Sequence, residues 1–179
     1  DMLPNLTWQD LPQVKPTMGH GEFVRAQLKQ DAEHSTPDST IWQASAVLTK
    51  GQVDTHLFLE FRYAPLLDFS NADCLAIETW IPEDQSTPSR ILVILHEEGG
   101  GDFIAETGRS LSTLGRERTF VALNRFQLAG WSKDDDGVLD PKRVACIRIG
   151  WGGYYGTEGE TVQFSTACPW LGRVTGDRK

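Results

Sequence analysis

Five side chains able to bind a ligand occupy alternate positions in three apolar segments of the chain. They are Glu60, Arg62, Glu78, Trp80 and Arg148. Alternate residues of a β-strand share one side of its sheet, and these five fall opposite the aliphatic residues of their segments. Ion pairs between exposed neighbours contribute only about 0 to 1 kcal/mol, so stability is a weak reason to place them there. We therefore predict that they form one concave ligand-binding sheet face.

An aromatic ring beside carboxylate and guanidinium groups is the combination that a sugar requires. A pyranose has an apolar C–H face that packs on an indole or phenol ring, and its hydroxyls form hydrogen bonds with planar polar groups. Covering about 80 Å² of apolar ring surface contributes about 2 kcal/mol. The face therefore predicts weak, exchangeable binding of a polysaccharide, with a dissociation constant of about micromolar to millimolar.

Three more residues are candidates for the same role, each with a competing structural interpretation. His96 ends an apolar segment, where a structural or solvated histidine is the alternative to a sugar contact. Tyr154 and Tyr155 lie in a Gly-flanked loop, a pattern typical of a turn with exposed rings.

Trp131 is predicted to cap the core and Trp151 to pack within it. For Trp80 above, packing beneath a loop or neighbouring strand remains the alternative.

Period-2 apolar segments bounded by Gly, Pro, Asp and Ser run through the chain, without convincing helical periodicity. The predicted strands are 22–29, 41–49, 56–63, 74–81, 90–96, 102–107, 118–124, 144–151 and 161–166. Strands of this number and length predict an all-β jelly-roll sandwich of two antiparallel sheets, which suits a monomer because most edges are closed. Residues 1–20 are predicted as an extended lead-in, 21–173 as one β-sandwich carbohydrate-binding domain and 174–179 as a polar tail.

Charge and composition argue against several classes of partner. The chain has 179 residues and a net charge of −8, and it lacks a clustered Lys/Arg surface segment. Phosphate-rich partners need such a cluster, so we expect neither nucleic acid nor an anionic membrane. No run of 18 apolar residues is present to span a bilayer. A neutral hydroxyl-rich ligand remains the easiest to accommodate.

Cysteine spacing decides little about the compartment. Cys74, Cys146 and Cys168 form no CxxC pair and no zinc spacing. Cys74 and Cys146 fall within apolar strands, where a small buried thiol is the expected state. A disulfide involving Cys168 is the alternative that the sequence leaves open.

Two Gly-containing segments resemble ion-binding loops only in part. The acidic segment 132–140 has Ser132 at the first ligand position of a calcium loop, and Arg143 stands where a bidentate Glu belongs. We interpret it as an Asx/Gly turn, with a nonstandard structural calcium site as the alternative, and expect no required cofactor. The run Glu98–Asp102 lacks the Lys-Ser/Thr ending of a phosphate loop, so we predict a hairpin loop bordering the binding face.

Three segments resemble the galactose-binding-like β-sandwich group of carbohydrate-binding modules. They are Leu67–Pro82, Val121–Phe126 and Asp136–Ile149, and the resemblance covers about residues 55–166. It implies a sugar site on a concave sheet or on loops at one edge, and in many such modules a stabilising calcium ion. It also implies a noncatalytic module that binds a polysaccharide, with a β-glucan favoured, and keeps a linked catalytic domain near its substrate in a larger secreted protein.

Two other functions remain open at this point. A jelly-roll glycosidase or polysaccharide lyase could use Glu60 and Glu78 on neighbouring strands, with the carboxyl groups about 5 to 9.5 Å apart. The E-x-D-x-x-E strand motif of sandwich glucanases is absent, however. A structural or protein-interaction sandwich with every aromatic ring buried is the second alternative.

Overall fold

A computed structural model describes residues 5–134 and 136–175 of the chain, and these residues form an all-β structure. The strands are β1 Leu6–Asp10, β2 Thr17–His20, β3 Val24–Gln30, β4 Trp42–Leu48, β5 Asp54–Leu67, β6 Cys74–Ile81, β7 Arg90–Glu97, β8 Asp102–Ser110, β9 Gly115–Ala122, β10 Gln127–Leu128, β11 Val144–Tyr155, β12 Thr161–Thr166 and β13 Trp170–Val174. One 3-10 turn, Leu123–Arg125, joins β9 to β10. The first residues of the predicted lead-in, 1–4, and 176–179 of the predicted tail lie outside the described residues.

The strands form two antiparallel sheets, which confirms the predicted jelly-roll sandwich. The six-stranded sheet has the order β10-β8-β7-β11-β5-β2. The seven-stranded sheet has the order β1-β13-β6-β12-β4-β3, and β9 pairs with β6 as well. No helix long and apolar enough to cross a membrane occurs among the described residues.

All nine predicted strands are present, with ends that differ by a few residues. Four further strands, β1, β2, β10 and β13, were not predicted. Each of these is short, between two and five residues, and mostly exposed or only half-buried. Strands this short carry too few alternating apolar residues for a period of two to be recognised. Strands β1 and β2 both fall within the segment 1–20.

The core lies between the sheets and is built from the aliphatic sides of the predicted strands. Leu57, Leu59 and Phe61 of β5 and Ile147 and Ile149 of β11 are all fully buried. Their counterparts on the seven-stranded sheet, Leu75, Ile77 and Phe164, are buried against them in the same cluster. Because alternate residues point the other way, the core positions also fix which side chains line the outer face of each sheet.

The three cysteines are all free thiols, so the disulfide alternative for Cys168 is wrong in this structure. Cys146 and Cys168 are buried, and Cys74 is half-buried. Burial raises the pKa of Cys146 to about 11, which keeps the thiol protonated and unreactive at neutral pH.

A buried arginine, Arg109 near the end of β8, ties the turn before β9 to strand β6. Its Nε donates to Thr79 Oγ1 at 2.9 Å and its Nη1 donates to the Thr113 carbonyl oxygen at 2.7 Å. Its Nη2 donates to the Gly115 carbonyl oxygen. Burial lowers the pKa of this guanidinium although Glu117 lies beside it.

Replacing Arg109 with leucine is expected to lower the free energy of unfolding by about 3 kcal/mol, because the buried Thr79 hydroxyl and the Thr113 and Gly115 carbonyl oxygens lose their shared donor. The exposed Arg116→Ala variant is the matched control, with an expected loss of about 1 kcal/mol or less. Urea unfolding of the two variants measures the difference. Equal losses would show that burial of the Arg109 hydrogen bonds does not stabilise the sandwich.

Candidate ligand-binding groove

A groove of about 690 Å³ runs across the outer face of the six-stranded sheet. Its floor is apolar and its walls carry charged, imidazole and indole groups. The lining residues are Gly19, His20, Asp54, His56, Phe58, Glu60, Leu92, Ile94, Asp102, Ile104, Trp131, Arg148, Gly152 and Gly153. Strands β2, β5, β7, β8 and β11 position all but one of them, and Trp131 comes from the loop after β10.

Strand register places the polar residues in rows across the sheet. Arg148 of β11 lies opposite Glu60 of β5 on one side and Ile94 of β7 on the other. In the next row His96 of β7 lies opposite Asp102 of β8. Neighbours in a row are close enough for their side chains to interact, so the sheet itself assembles the polar part of the groove.

Glycines in β11 leave the ring of Phe58 as part of the floor. A Cβ at Gly150 would clash with the Leu57 carbonyl oxygen and the Phe58 Cα, so β5 and β11 approach too closely there for any side chain. A Cβ at Gly152 would lie 3.6 Å from the Phe58 ring. Gly150 thus permits the close approach of β5 and β11, and Gly152 leaves space in the groove beside the Phe58 ring.

Arg148 holds the two carboxylates at the centre of the groove. Its Nε donates to Glu60 Oε1 at 3.2 Å and its Nη1 donates to Asp102 Oδ1 at 3.0 Å. Arg62 Nη2 donates to the other Glu60 oxygen at 2.9 Å. Arg148 is only 18% exposed, whereas Arg62 is 59% exposed at the edge of the groove. A guanidinium between two carboxylates fixes all three groups in one arrangement.

Asp102 also contacts two rings, that of Trp131, which lines the groove, and that of His96, which, like Arg62, is not among the lining residues. Its Oδ1 lies 2.7 Å from His96 Nδ1, and its Oδ2 accepts a hydrogen bond from Trp131 Nε1 at 3.0 Å. The Asp102 backbone N–H donates to Ser132 Oγ at 2.8 Å, which ties the Trp131 loop to the start of β8. The indole is 64% exposed, so its face is available while its orientation is held.

Opposing effects set the pKa of Asp102. Burial acts to raise it, but hydrogen bonds from His96 and Trp131 and the charge of Arg148 together lower it below its ordinary value of 3.8. A carboxyl group with a lowered pKa in the folded state stabilises the protein above its unfolded-state pKa. That contribution is lost as the pH falls through the lower, folded-state pKa.

Asp102→Asn is therefore expected to lower the free energy of unfolding by about 1 to 3 kcal/mol at pH 7. The difference from the unmodified protein should narrow as the pH falls from 3.8 through the lower folded-state pKa of Asp102, because the carboxylate is then protonated and, like the asparagine, uncharged. Chemical unfolding at intervals from neutral to strongly acidic pH measures it. A difference that stays constant over this range would contradict the assignment of Asp102 as an ionised centre.

The structure separates Glu78 and Trp80 from the groove, so the prediction that all five residues share one sheet face is wrong for these two. Both lie in β6 of the seven-stranded sheet. Glu78 Oε2 accepts hydrogen bonds from Arg116 Nη2 at 2.9 Å and Arg118 Nε at 2.7 Å. Alternation assigns the two sides of a strand, but it does not show which sheet the strand joins.

Trp80 stacks on His34 with ring centroids 5.2 Å apart, on the sheet opposite the groove. The carboxyl pair of the hydrolase alternative is separated in the same way. Glu60 lines the outer face of one sheet and Glu78 lies on the outer face of the other. With the core between them, the two carboxyl groups cannot act on one glycosidic bond.

The predicted tyrosine pair divides between core and surface. Tyr154 is buried, packs edge-to-face on Trp151 at 6.1 Å and donates its hydroxyl to Glu160 Oε1 at 2.8 Å. Tyr155 is exposed at the end of β11, but it is not among the residues that line the groove. Trp151 is fully buried, as predicted.

The groove contains several residues that sequence patterns did not single out as site residues. Trp131 was predicted to cap the core, which is wrong because its ring is largely exposed. Its Gly-Trp-Ser-Lys context was the available signal for an exposed ring. Asp102, Phe58 and His56 were not predicted as contacts, although the segment Glu98–Asp102 was expected to border the face and does so.

Among the described residues, Asp31, Glu33 and His34 form the one group with metal-ligand spacing. Asp31 Oδ1 already accepts hydrogen bonds from the backbone N–H groups of Glu33 and His34. Its Oδ2 accepts hydrogen bonds from His34 Nδ1 and Ser165 Oγ, so neither oxygen is available to a cation. In the acidic segment, Asp136 accepts the Val138 N–H, as in the predicted Asx turn.

Comparison with known proteins shows a likeness in structure but not in sequence. No family model matches the chain, and no curated protein matches it. The Family 11 carbohydrate-binding module of the cellulosomal cellulase Lic26A-Cel5E of Clostridium thermocellum superposes with a TM-score of 0.66 at 11% identity, covering 99% of this chain and 100% of that one. The chain therefore has the β-sandwich fold of carbohydrate-binding modules.

Two further solved structures support the same fold. A Family 11 module from Clostridium thermocellum, solved in complex with a β-1,3-1,4-mixed-linked tetrasaccharide, gives a TM-score of 0.65 at 12% identity, with 95% and 96% of the two chains covered. The Family 30 module of the Clostridium thermocellum cellulase Cel9D-Cel44B gives 0.53 at 12% identity, with 99% and 100% covered. These findings confirm the β-sandwich that the sequence resemblance implied.

Proposed function

We propose that the chain is a noncatalytic module that binds a β-glucan-like polysaccharide in the groove on the six-stranded sheet. The observation that carries the proposal is the arrangement around Arg148. An apolar floor lies beside a fixed network of guanidinium, carboxylate and imidazole groups, and the exposed Trp131 ring is tethered to that network. A sugar chain needs both kinds of surface.

The floor and walls supply complementary contacts. Leu92 and Ile104 are half-buried and, with the rim of the Phe58 ring, offer apolar surface for the C–H faces of a pyranose. Glu60, Asp102 and Arg148 hold one another in place before any ligand binds. Preorganised groups lose little side-chain entropy on binding. The groove is therefore suited to a neutral polymer, whose hydroxyls replace water as hydrogen-bond partners of these groups with a small loss of entropy.

The electrostatics of the groove favour binding over hydrolysis. A glycosidase needs a carboxylic acid whose pKa is raised so that it can protonate the leaving oxygen. The pKa of Asp102 is lowered instead, although burial alone would raise it, because His96, Trp131 and Arg148 stabilise the carboxylate. Glu60 forms ion pairs with Arg148, which also binds Asp102, and with Arg62. Carboxylates held in this way are hydrogen-bond acceptors for hydroxyls.

A β-glucan is the ligand class that we favour, because the Family 11 structure of similar fold was solved with a mixed-linked β-1,3-1,4 tetrasaccharide. We also propose that the module acts as a monomer beside a linked catalytic domain in a secreted protein. In that setting, a weak and exchangeable groove keeps the enzyme near its substrate and lets it move along the polymer.

Affinity electrophoresis in gels containing mixed-linked β-glucan, xylan or mannan tests the proposal, with a reducing-end assay run on the same polysaccharides. We expect retardation by the β-glucan, with a dissociation constant of about micromolar to millimolar, and no release of reducing ends. Turnover of any polysaccharide would show an enzyme. No retardation by any of them would favour the structural or protein-interaction sandwich.

A further inference from the structure

The outer face of the seven-stranded sheet carries a second cluster of aromatic rings, far from the groove. Strand register brings Trp8 of β1, Trp170 of β13 and Phe120 of β9 onto neighbouring rows around Ala76 of β6. Together with Asp10 and Arg118 these residues line a notch of about 210 Å³. The notch and the groove lie on opposite faces of the sandwich, so one ligand chain cannot contact both sites by crossing a single sheet.

Trp8 is positioned by the absence of a side chain beneath it. A Cβ at Gly172 would lie 2.8 Å from Trp8 Cζ3, so only glycine lets the indole lie against the strand. The Trp8 and Phe120 rings have centroids 5.5 Å apart and planes inclined by 30°. The two rings are 42% and 41% exposed. They form a nearly continuous aromatic platform whose outer surface is open to solvent.

Charged groups flank this platform. Arg118 lies over the Trp170 ring with its guanidinium carbon 5.7 Å from the ring centroid, and Glu78 holds its Nε at 2.7 Å. The exposed Asp10 lies opposite Trp170 on β1. A fixed guanidinium and a carboxylate beside two rings repeat, on a smaller scale, the chemistry of the groove.

We propose that this notch is a second, independent saccharide-binding site that takes a short stretch of neutral polysaccharide on the Trp8 and Phe120 rings. It goes beyond the groove because it involves the other sheet and a different set of residues. A module with sites on two opposite faces can engage two chains of a polysaccharide surface. Joining two weak sites in this way raises the overall affinity without any new contact.

Indole N–H signals of ¹⁵N-labelled protein separate the two sites, because Trp131 reports on the groove and Trp8 and Trp170 report on the notch. The probes are mixed-linked β-glucan tetrasaccharide, xylotetraose and mannotetraose, each titrated into Arg148→Ala protein in which the groove is disabled. We expect at least one probe to move the Trp8 and Trp170 signals with saturation at about millimolar concentration.

Trp8→Ala and, as a second variant that leaves β1 intact, Phe120→Ala should each weaken this response about tenfold. Leu114→Ala is the control, because that side chain is also highly exposed but lies outside both sites. Trp8 and Trp170 signals that stay unmoved up to about 20 mM of every probe would overturn the second site. The proposed binding in the groove would still stand after that result if the Trp131 signal of the unmodified protein moves on addition of a probe.

Discussion

Arg148→Ala is expected to weaken binding of mixed-linked β-glucan tetrasaccharide at least about 100-fold, or about 2.7 kcal/mol. The guanidinium lies between Glu60 and Asp102 and donates to both. Its removal takes away the polar centre of the groove and leaves two carboxylates facing each other without their shared cation. Isothermal titration calorimetry of the variant and the unmodified protein measures the loss.

Arg62→Ala is the matched control for this prediction. Arg62 contacts the same Glu60 side chain, but it does so from the exposed edge of the groove. Its loss should reduce affinity only about two- to fivefold, as expected for an exposed ion pair. Arg148→Lys keeps the charge but cannot donate to both carboxylates in the same geometry. Its affinity should lie between those of Arg148→Ala and Arg62→Ala. Similar affinities for Arg148→Ala and Arg62→Ala would contradict a central role for Arg148.

Trp131→Ala is expected to reduce affinity about 10- to 30-fold while leaving the free energy of unfolding nearly unchanged. The ring is 64% exposed, so removing it leaves no cavity in the core. Covering its face with a sugar ring contributes about 2 kcal/mol, which corresponds to this loss. Calorimetric titration gives the affinity and urea unfolding gives the stability.

Trp80→Ala tests whether this effect is specific to the groove. Trp80 belongs to β6 of the opposite sheet and stacks on His34, so its loss should leave affinity for the groove ligand unchanged. This expectation reverses the prediction made from strand alternation alone, in which Trp80 provided the aromatic platform. A tenfold loss of affinity in Trp80→Ala together with full affinity in Trp131→Ala would place the ligand on the seven-stranded sheet and contradict binding in the groove.

The fold could be predicted because core strands carry a strong periodic pattern. Leu57, Leu59 and Phe61 repeat every second residue and are all buried between the sheets. Strands such as β10 Gln127–Leu128 carry no such repeat, and their pairing depends on the neighbouring strand β8. Local sequence thus specifies the centres of the sheets, whereas the edges depend on contacts between distant segments.

The candidate site could be predicted only in part, and the reason lies in sheet membership. Glu60, Arg62, His96 and Arg148 were predicted as site residues, and the six-stranded sheet joins them in one network through contacts with Glu60 and Asp102. Of these four, Glu60 and Arg148 line the groove. Glu78 showed the same alternation, yet β6 belongs to the other sheet. Pairing between distant strands decides this, and a period of two contains no information on it.

Trp131 shows a second limit of sequence patterns. Its position follows from one hydrogen bond to Asp102 and from the bond between the Asp102 N–H and Ser132 Oγ. Both bonds span about thirty residues of chain. A loop residue without periodicity can be assigned to core or surface only when these tertiary contacts are known, and here they turn the ring toward the groove.

A crystal structure of the protein with mixed-linked β-glucan tetrasaccharide tests most directly whether the groove on the six-stranded sheet binds the polysaccharide. We expect sugar rings to lie along the groove over Leu92 and Ile104, with hydroxyls bonded to Arg148, Glu60 or Asp102 and one ring packed on Trp131. Sugar density confined to any other surface, with the groove filled only by water, would contradict it.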